Sequence, residues 1–177
     1  SPAIAQHITG PARAIDGDSL EMTGSAIRLF GIDAPEAKQT CQRGDTTWAC
    51  GDEAVQALQS AVADAPLSCI VQGRDAYGLM VSTCTVHGND IALELVQAGL
   101  ATALPNADPA YHDAEARARA RRTGIWGGTF QTPAEWRAAH PREDRNLAVP
   151  RRAAPQRQSA SAPSRVWRSG GRCLIKG

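Results

Sequence analysis

The sequence predicts a small α+β fold in which short strands joined by tight turns are combined with three helices. An Asp-Gly pair beginning at Asp16 separates two short apolar stretches, which is typical of a β-hairpin because glycine supplies a positive φ angle. Two strand-like runs at 67–72 and 80–86 predict a second hairpin. Apolar residues recur at helical spacing between 55 and 62, which predicts a helix with one face on the sheet.

The other elements follow from local signals along the chain. The first hairpin uses strands near 14–15 and 20–22, and the next strand covers 26–32. Residues 38–49 read as a polar loop. Asp52 is the expected N-cap of the first helix, whose buried face would include Val55, Leu58 and Val62. The later helices are expected at about 91–97 and 109–122, with one further short helix at 132–137.

Length and composition are those of one folded domain with a basic tail. The chain has 177 residues with 42% hydrophobic content, and it has no apolar run of about eighteen residues that would span a membrane. We predict an N-terminal segment at 1–9, a folded domain at 10–137 and a Pro/Arg/Ser-rich linker or tail at 138–177. The start at 3–5 reads Ala-Ile-Ala, which is either the remnant of a removed secretory signal or an alanine-rich start.

Charge is distributed unevenly along the chain. Residues 1–137 contain 10 Lys/Arg and 16 Asp/Glu, net −6, whereas residues 138–177 contain 9 and 2, net +7. An acidic body argues against a passive nucleic-acid binder, which needs many Lys/Arg contacts to phosphates. It is compatible with a site that first recruits a metal ion. The basic tail is expected to be a tether, with contact to phosphates as the alternative.

Carboxylates and one arginine are concentrated between residues 16 and 36. Each acidic motif alone is typical of a turn, because Asp caps its own turn before glycine or proline. Arg28 changes this interpretation, since it lies in a run at 26–32 that is otherwise apolar or glycine. A buried arginine needs an anion, so Arg28 is expected to face a cleft beside the carboxylates. Hard oxygen ligands beside a guanidinium suit Ca²⁺ or Mg²⁺ bridging a phosphodiester.

The cysteines predict two disulfides and an oxidising location. Cys41 and Cys50 bracket the polar loop, and Cys69 and Cys84 lie in the two paired runs of the second hairpin. Zinc binding is the alternative, but it would need closer cysteine spacing or histidine partners, and the four histidines are scattered. Cys173 is left over and is expected to pair outside this sequence or between molecules. We therefore expect a periplasmic or secreted protein, and a monomer.

Four motifs, in order, together resemble the staphylococcal nuclease (thermonuclease) family. They are Asp-Gly-Asp-Ser at 16–19, Arg-Leu-Phe-Gly-Ile-Asp-Ala-Pro-Glu at 28–36, Asp-Ala-Tyr-Gly at 75–78 and Gly-Ile-Trp at 124–126. The resemblance runs from about residue 11 to 137. It implies a five-stranded OB-type β-barrel carrying three helices, and such barrels bind oligonucleotides on a strand face.

The resemblance also implies a calcium-dependent phosphodiesterase that acts on single-stranded DNA or RNA. Asp18, Asp33 and the Ala34 carbonyl would ligate Ca²⁺, or Mg²⁺ or another divalent cation, with Asp16 nearby. Glu36 would be the general base, or would orient the attacking water. Arg28 would neutralise a phosphate oxygen as charge builds in the transition state. Tyr77 would lie near the phosphate or the nucleotide.

The sequence departs from the family pattern at Leu79. The family places a second catalytic arginine there, and losing one preorganised charge costs about 10²- to 10³-fold in rate. Arg74 on the same hairpin, or Arg43 from the loop, are candidate substitutes. The base-stacking tyrosines are also absent from 99–107, with Tyr111 as a candidate. The two readings are therefore a weakened metal-dependent nuclease and a catalytically inactive nuclease-fold binding module. The retained carboxylates favour the enzyme, because such a cluster repels itself without a cation.

Overall fold

The structure is a computed structural model that describes residues 5–141, so most of the predicted tail, including Cys173, and much of the alanine-rich start lie outside these residues. Its strands are β1 (His7–Gly10), β2 (Ala12–Asp16), β3 (Ser19–Met22), β4 (Ser25–Leu29), β5 (Ile32–Asp33), β6 (Cys41–Arg43), β7 (Thr46–Trp48), β8 (Leu67–Arg74), β9 (Met80–Val86), β10 (Asn89–Asp90) and β11 (Thr102–Ala103). Its helices are α1 (Cys50–Val62), α2 (Ile91–Gln97), α3 (Pro109–Ala120), a 3₁₀ turn (Gly124–Gly127) and α4 (Pro133–Ala139).

One mixed sheet forms the body of the domain. Its strands lie in the order β1-β8-β9-β4-β3-β2, with β10 added to β9, and β4 pairs with β9 in parallel while the other pairs are antiparallel. Among the described residues the strand pairing leaves this sheet open instead of closing it into a barrel. The α+β class and the OB-type fold predicted from the sequence are otherwise confirmed.

The hydrophobic core lies between the sheet and the helices. Leu20, Ile27 and Leu67 are fully buried on the strands. Helix α1 packs on β2 and buries Leu58 and Val62 as predicted, although Ala54 takes the place expected for Val55 on the buried face. Burial of such side chains stabilises the fold by about 1.5–3 kcal/mol for each large apolar residue.

Three local predictions were wrong. The expected strand at 26–32 ends at Leu29 and resumes as β5, because Gly31 adopts a positive φ of 80° and turns the chain. The loop at 38–49 contains the β6–β7 hairpin. Helix α1 begins at Cys50, so Asp52 is not its N-cap. Asp52 instead lies in the first turn, where a negative charge favours the helix dipole, and accepts a hydrogen bond from Gln56.

Two disulfides hold the fold, and both pairings are those predicted. Cys41–Cys50 joins β6 to the start of α1, and Cys69–Cys84 joins directly opposed residues of β8 and β9. Regular structure begins at His7 and continues to Ala139, slightly beyond the predicted domain limits of 10 and 137. Within residues 5–141, none of the helices has the length and apolar character required to cross a membrane.

Candidate active site

The turn between β2 and β3 places two buried aspartates at one end of the sheet. Asp16 ends β2 and Asp18 follows it in the turn, and both are buried. Gly17 allows this because a Cβ at that position would lie 2.9 Å from the Cβ atoms of both Ala34 and Ala54. The absence of a side chain therefore lets the β2–β3 turn pack directly against the segment that follows β5.

That second segment carries Asp33, at the end of β5. The carbonyl oxygen of Asp33 accepts a hydrogen bond of 3.0 Å from Thr102 Oγ1 on the paired strand β11. The Ala34 amide donates to Asp18 Oδ2 at 3.2 Å, which joins the two acidic turns. Asp18 and Asp33 are thus brought together as the sequence predicts. The role of the Ala34 carbonyl as a metal ligand stays a prediction.

Arg28 projects from β4 between these two aspartates. Its Nη2 atom lies 3.4 Å from Asp18 Oδ2 and 3.3 Å from Asp33 Oδ1. The negative charge of Asp18 raises the pKa of Arg28, with a further contribution from Asp33, while burial acts in the opposite direction. The predicted location of Arg28, beside the carboxylates and facing a cleft, matches the structure.

Arg137 is a charged residue of this site to which the sequence analysis gave no role. Its Nη1 atom donates to Asp33 Oδ1 at 2.8 Å and to Glu36 Oε1 at 2.7 Å, and its Nη2 atom donates to Asp33 Oδ2 at 3.0 Å. These hydrogen bonds, led by those to Asp33, raise the pKa of Arg137. The arginine is supplied by α4, about a hundred residues after its partners, so no local pattern indicates the contact.

The start of α4 does have a sequence signal. Thr132 and Glu135 form a reciprocal capping box, and Pro133 occupies the first turn, which together fix where the helix begins. The short helix is therefore predictable from its capping residue and its proline, but its docking position depends on tertiary contacts.

Gln39 supplies one such contact and was also missed. It is fully buried, its Oε1 accepts a hydrogen bond of 3.2 Å from the Glu36 amide, and its Nε2 donates to the Gln131 carbonyl at 2.7 Å. One side chain thus ties the turn that carries Glu36 to the segment that leads into α4. In the sequence Gln39 is one polar residue of a predicted loop, so no local pattern marks it as buried.

Negative charge exceeds positive charge in the cluster. Four carboxylates (Asp16, Asp18, Asp33, Glu36) face two guanidinium groups (Arg28, Arg137). Burial first, and then the charges of Asp18 and Glu36, together raise the pKa of Asp16 to about 8. Within residues 5–141 no three His, Cys, Asp or Glu side chains are arranged to hold a metal ion. Arg28 and Arg137 are cationic partners of Asp18, Asp33 and Glu36 among the described residues.

A cavity of about 430 Å³ opens beside the cluster. Its charged lining consists of three arginines and two aspartates, namely Arg28, Arg74, Arg137, Asp33 and Asp75. Arginine guanidinium groups are the usual partners of phosphate because their planar fork matches two oxygens. The cavity therefore has the chemistry of a phosphate-binding cleft next to carboxylates.

The tip of the β8–β9 hairpin is organised mainly by contacts within itself. Asp75 Oδ1 accepts hydrogen bonds of 2.9 Å from the amides of Tyr77 and Leu79, and Arg74 Nη1 donates to the Gly78 carbonyl at 2.7 Å. The Tyr77 side chain is 81% exposed and does not line the cavity. Arg74 does line the cavity, so of the two predicted substrate contacts only Arg74 is placed there.

Two candidate substitutes for missing family residues lie elsewhere. Arg43 stacks on Trp48, with 4.6 Å between its Cζ atom and the ring centroid, and does not line the cavity. Tyr111 is only 4% exposed, and its hydroxyl donates to Asp90 Oδ2 at 2.5 Å. Tyr111 is therefore a core residue that cannot stack on a nucleobase, which corrects the sequence-based expectation.

Comparisons with known proteins agree with this arrangement. The family model described as staphylococcal nuclease homologue matches residues 26–128. The chain is 36% identical over 127 residues to the succinoglycan biosynthesis protein ExoI of Rhizobium meliloti (strain 1021), covering 69% of this chain and 66% of that protein. It is 35% identical over 122 residues to a probable endonuclease LCL3 of Colletotrichum graminicola, covering 60% of this chain and 44% of that protein.

A third relative is covered more completely. An uncharacterized endonuclease of Escherichia coli O157:H7 is 30% identical over 140 residues, covering 75% of this chain and 86% of that protein. The chain thus spans less than two thirds of the length of the first two relatives and most of the third. The chain belongs to the staphylococcal nuclease homologue family.

Proposed function

We propose that this protein is an exported, metal-dependent nuclease that hydrolyses phosphodiester bonds in single-stranded DNA or RNA. The observation that carries the proposal is that Asp18, Asp33, Glu36 and Arg28 meet in one charged cluster, of which Arg28 and Asp33 line the adjoining cavity. The family, and relatives that are themselves named endonucleases, support a nuclease-type function.

The donor set fits a divalent cation. All four acidic side chains offer hard oxygen ligands, which Ca²⁺ and Mg²⁺ prefer. After burial, the charges of Asp18 and Glu36 contribute to the raised pKa of Asp16, and a cation bound beside these carboxylates would offset their mutual repulsion. Asp18, Asp33 and the Ala34 carbonyl would hold the ion, with Ca²⁺ as the first candidate. When bound, the ion supplies Lewis-acid stabilisation of charge on a phosphate oxygen.

The protein's own residues account for the remaining steps. Glu36 would accept a proton from the attacking water, or orient it, once its carboxylate is released from Arg137. Arg28 would neutralise a non-bridging phosphate oxygen as negative charge accumulates during in-line attack. Arg74, at the cavity wall, would contact the nucleic-acid backbone, and Tyr77 would contact the nucleotide from the hairpin tip.

Export rests on the disulfides. Two intradomain bridges suit an oxidising compartment such as the periplasm or the extracellular space, since cytosolic thiols are kept reduced. Mass spectrometry of protein isolated from its native host, under thiol-trapping conditions, would test this. Free thiols at Cys41, Cys50, Cys69 and Cys84 would contradict it.

A second candidate function is a catalytically inactive nuclease-fold module that binds nucleic acid or protein. Leu79 cannot donate a hydrogen bond to phosphate, and Glu36 is neutralised by Arg137 in the structure. Both observations favour this candidate if no cleavage is found.

Cleavage of labelled single-stranded DNA and RNA with Ca²⁺, Mg²⁺ or EDTA tests the proposal. We expect metal-dependent cleavage by the parent protein and its loss in Glu36→Gln. If the parent protein cleaves with neither ion and Leu79→Arg gains cleavage activity, the protein would instead be an inactive module. As an independent measurement, millimolar Ca²⁺ should raise the melting temperature of the parent and not that of Asp18→Asn.

A further inference from the structure

Arg137 and Arg28 reach the same carboxylate oxygen from different elements. Arg28 Nη2 lies 3.3 Å from Asp33 Oδ1, and Arg137 Nη1 lies 2.8 Å from that same atom. The two nitrogens are therefore no more than about 6.1 Å apart, which is the sum of those distances. Two guanidinium groups this close repel each other, and the charge of Arg137 lowers the pKa of Arg28 although its carboxylate neighbours raise the net value.

Arg137 also keeps donors available for a ligand. Its contacts among the described residues use both hydrogens of Nη1 and one of Nη2. The second Nη2 hydrogen and the Nε hydrogen have no partner within residues 5–141. The side chain is 24% exposed and lines the same cavity as Arg28, which is 22% exposed.

An anion at this cavity would reduce the repulsion between the two arginines. A phosphodiester group offers two non-bridging oxygens, so it can accept hydrogen bonds from both guanidinium groups at once. Asp33 and Glu36 hold Arg137 in position beforehand, which lowers the entropy lost when the phosphate binds.

We infer that Arg137 is a second phosphate-binding arginine of this site, delivered by α4 and positioned by Asp33 and Glu36. The inference deepens the proposed nuclease function and takes phosphodiester groups of single-stranded nucleic acid as its ligand. Arg137 lies beyond residues 26–128, which the family model matches, so the family comparison does not assign it.

The competing explanation is that Arg137 only neutralises the carboxylates. A single Arg137→Gln change cannot separate the two explanations, because it leaves Asp33 and Glu36 to repel a phosphate. The double variant Glu36→Gln/Arg137→Gln removes one charge of each sign and keeps the net charge of the site. If Arg137 is only a neutralising group, this double variant should bind nucleic acid as the parent does.

The test is binding of a short fluorescein-labelled single-stranded oligonucleotide in EDTA, measured by anisotropy over a range of salt concentrations. We expect the double variant to bind about tenfold more weakly than the parent, as for loss of a charged hydrogen bond. The plot of log K against log salt has a negative slope, and this slope should become shallower by about 0.7, the value for one lost phosphate contact on a single strand. Equal affinity and equal slope would overturn the inference.

Two further variants serve as controls. Arg137→Lys keeps the charge but not the fork, so the salt slope should be retained while part of the affinity is lost. If the slope for Arg137→Lys is as shallow as that of the double variant, this would also count against contact between Arg137 and phosphate. Arg13→Gln/Glu21→Gln removes an ion pair outside the cavity with the same charge balance, and should change affinity by less than about twofold.

These measurements do not depend on catalysis. A parent that binds through Arg137 but never cleaves would reject the proposed nuclease activity and support the inference. If the parent cleaves and the double variant binds nucleic acid as the parent does, the nuclease activity would be supported and the role of Arg137 rejected. Thermal melts of every variant identify any loss of affinity that comes from unfolding.

Discussion

The tip of the β8–β9 hairpin and helix α4 border the same cavity but present their polar groups in opposite ways. At the tip, Asp75 accepts hydrogen bonds from nearby amides and Arg74 donates to a carbonyl four residues away. Helix α4 instead directs Arg137 onto Asp33 and Glu36, about a hundred residues earlier in the chain. The family resemblance implies substrate contacts at the tip, whereas the structure places the second guanidinium on α4.

The difference follows from which partners each element has nearby. A tight turn brings its own amides and carbonyls within reach of its polar side chains, so these are satisfied locally. A short helix fixed by a capping box satisfies its first amides through Thr132 and leaves its later side chains available for other elements. The charged side chains of the site are therefore placed both by local sequence motifs and by the way that helix α4 packs on the domain.

The largest expected difference between helix α4 and the hairpin tip is in cleavage, measured after one side chain is removed from each element. Because Arg137 is preorganised beside the carboxylates, Arg137→Ala should lower kcat/KM by about 10²- to 10³-fold. Tyr77→Ala, at the exposed tip, should cost less than about tenfold, because an exposed side chain is less preorganised than Arg137. Equal losses in the two variants would mean that the tip and α4 contribute alike.

The main contribution of the β8–β9 hairpin should be to the stability of the fold, through its disulfide. Cys69→Ala/Cys84→Ala removes the bridge between β8 and β9, and should lower the free energy of unfolding by about 2–4 kcal/mol in urea titrations. The Cys41–Cys50 bridge closes a shorter loop, with a sequence separation of 9 against 15. Its removal in Cys41→Ala/Cys50→Ala should therefore lower the free energy of unfolding by somewhat less. A negligible change in the first variant would show that the strand pairing alone holds the hairpin.

The buried link between the Glu36 turn and α4 can be cut at Gln39. Gln39→Ala leaves the Glu36 amide and the Gln131 carbonyl without that partner, so we expect a loss of about 1–3 kcal/mol in the free energy of unfolding. Gln42→Ala, on the exposed β6–β7 hairpin, is a matched control and should stay within about 0.5 kcal/mol. Similar values for the two variants would argue against an anchoring role for Gln39.

The smallest effect concerns the capping box of α4. Hydrogen bonds with Thr132 lower the pKa of Glu135 from its usual 4.5, so the ionised side chain supports the helix start. Because the folded pKa is depressed, this support is present above the unfolded pKa and is lost as the pH falls through the lower folded pKa. Amide chemical shifts of α4 should therefore change in acid, and Glu135→Gln should remove that change. An identical acid response in both proteins would contradict the prediction.

The family fold, both disulfide pairings and the meeting of Asp18, Asp33 and Arg28 could be predicted from the amino-acid sequence. The fold and the meeting of the two aspartates follow from four ordered motifs and their tight turns. The disulfides follow from the places of the cysteines, which are paired strands for Cys69 and Cys84 and the two ends of the 38–49 loop for Cys41 and Cys50. Arg28 was predictable because a charge inside an apolar run must find an opposite charge.

The positions of Arg137, Gln39 and Tyr111 could not be predicted from the sequence and became known from the structure. Each depends on where an element docks, and docking is set by contacts among residues far apart in the chain, which have no fixed spacing. Tyr111 shows this for the core, since an aromatic residue on a helix has the same local pattern whether it packs inward or faces a ligand. Arg137 shows it for the site, since its partners are defined by the position of α4 and not by the sequence around it.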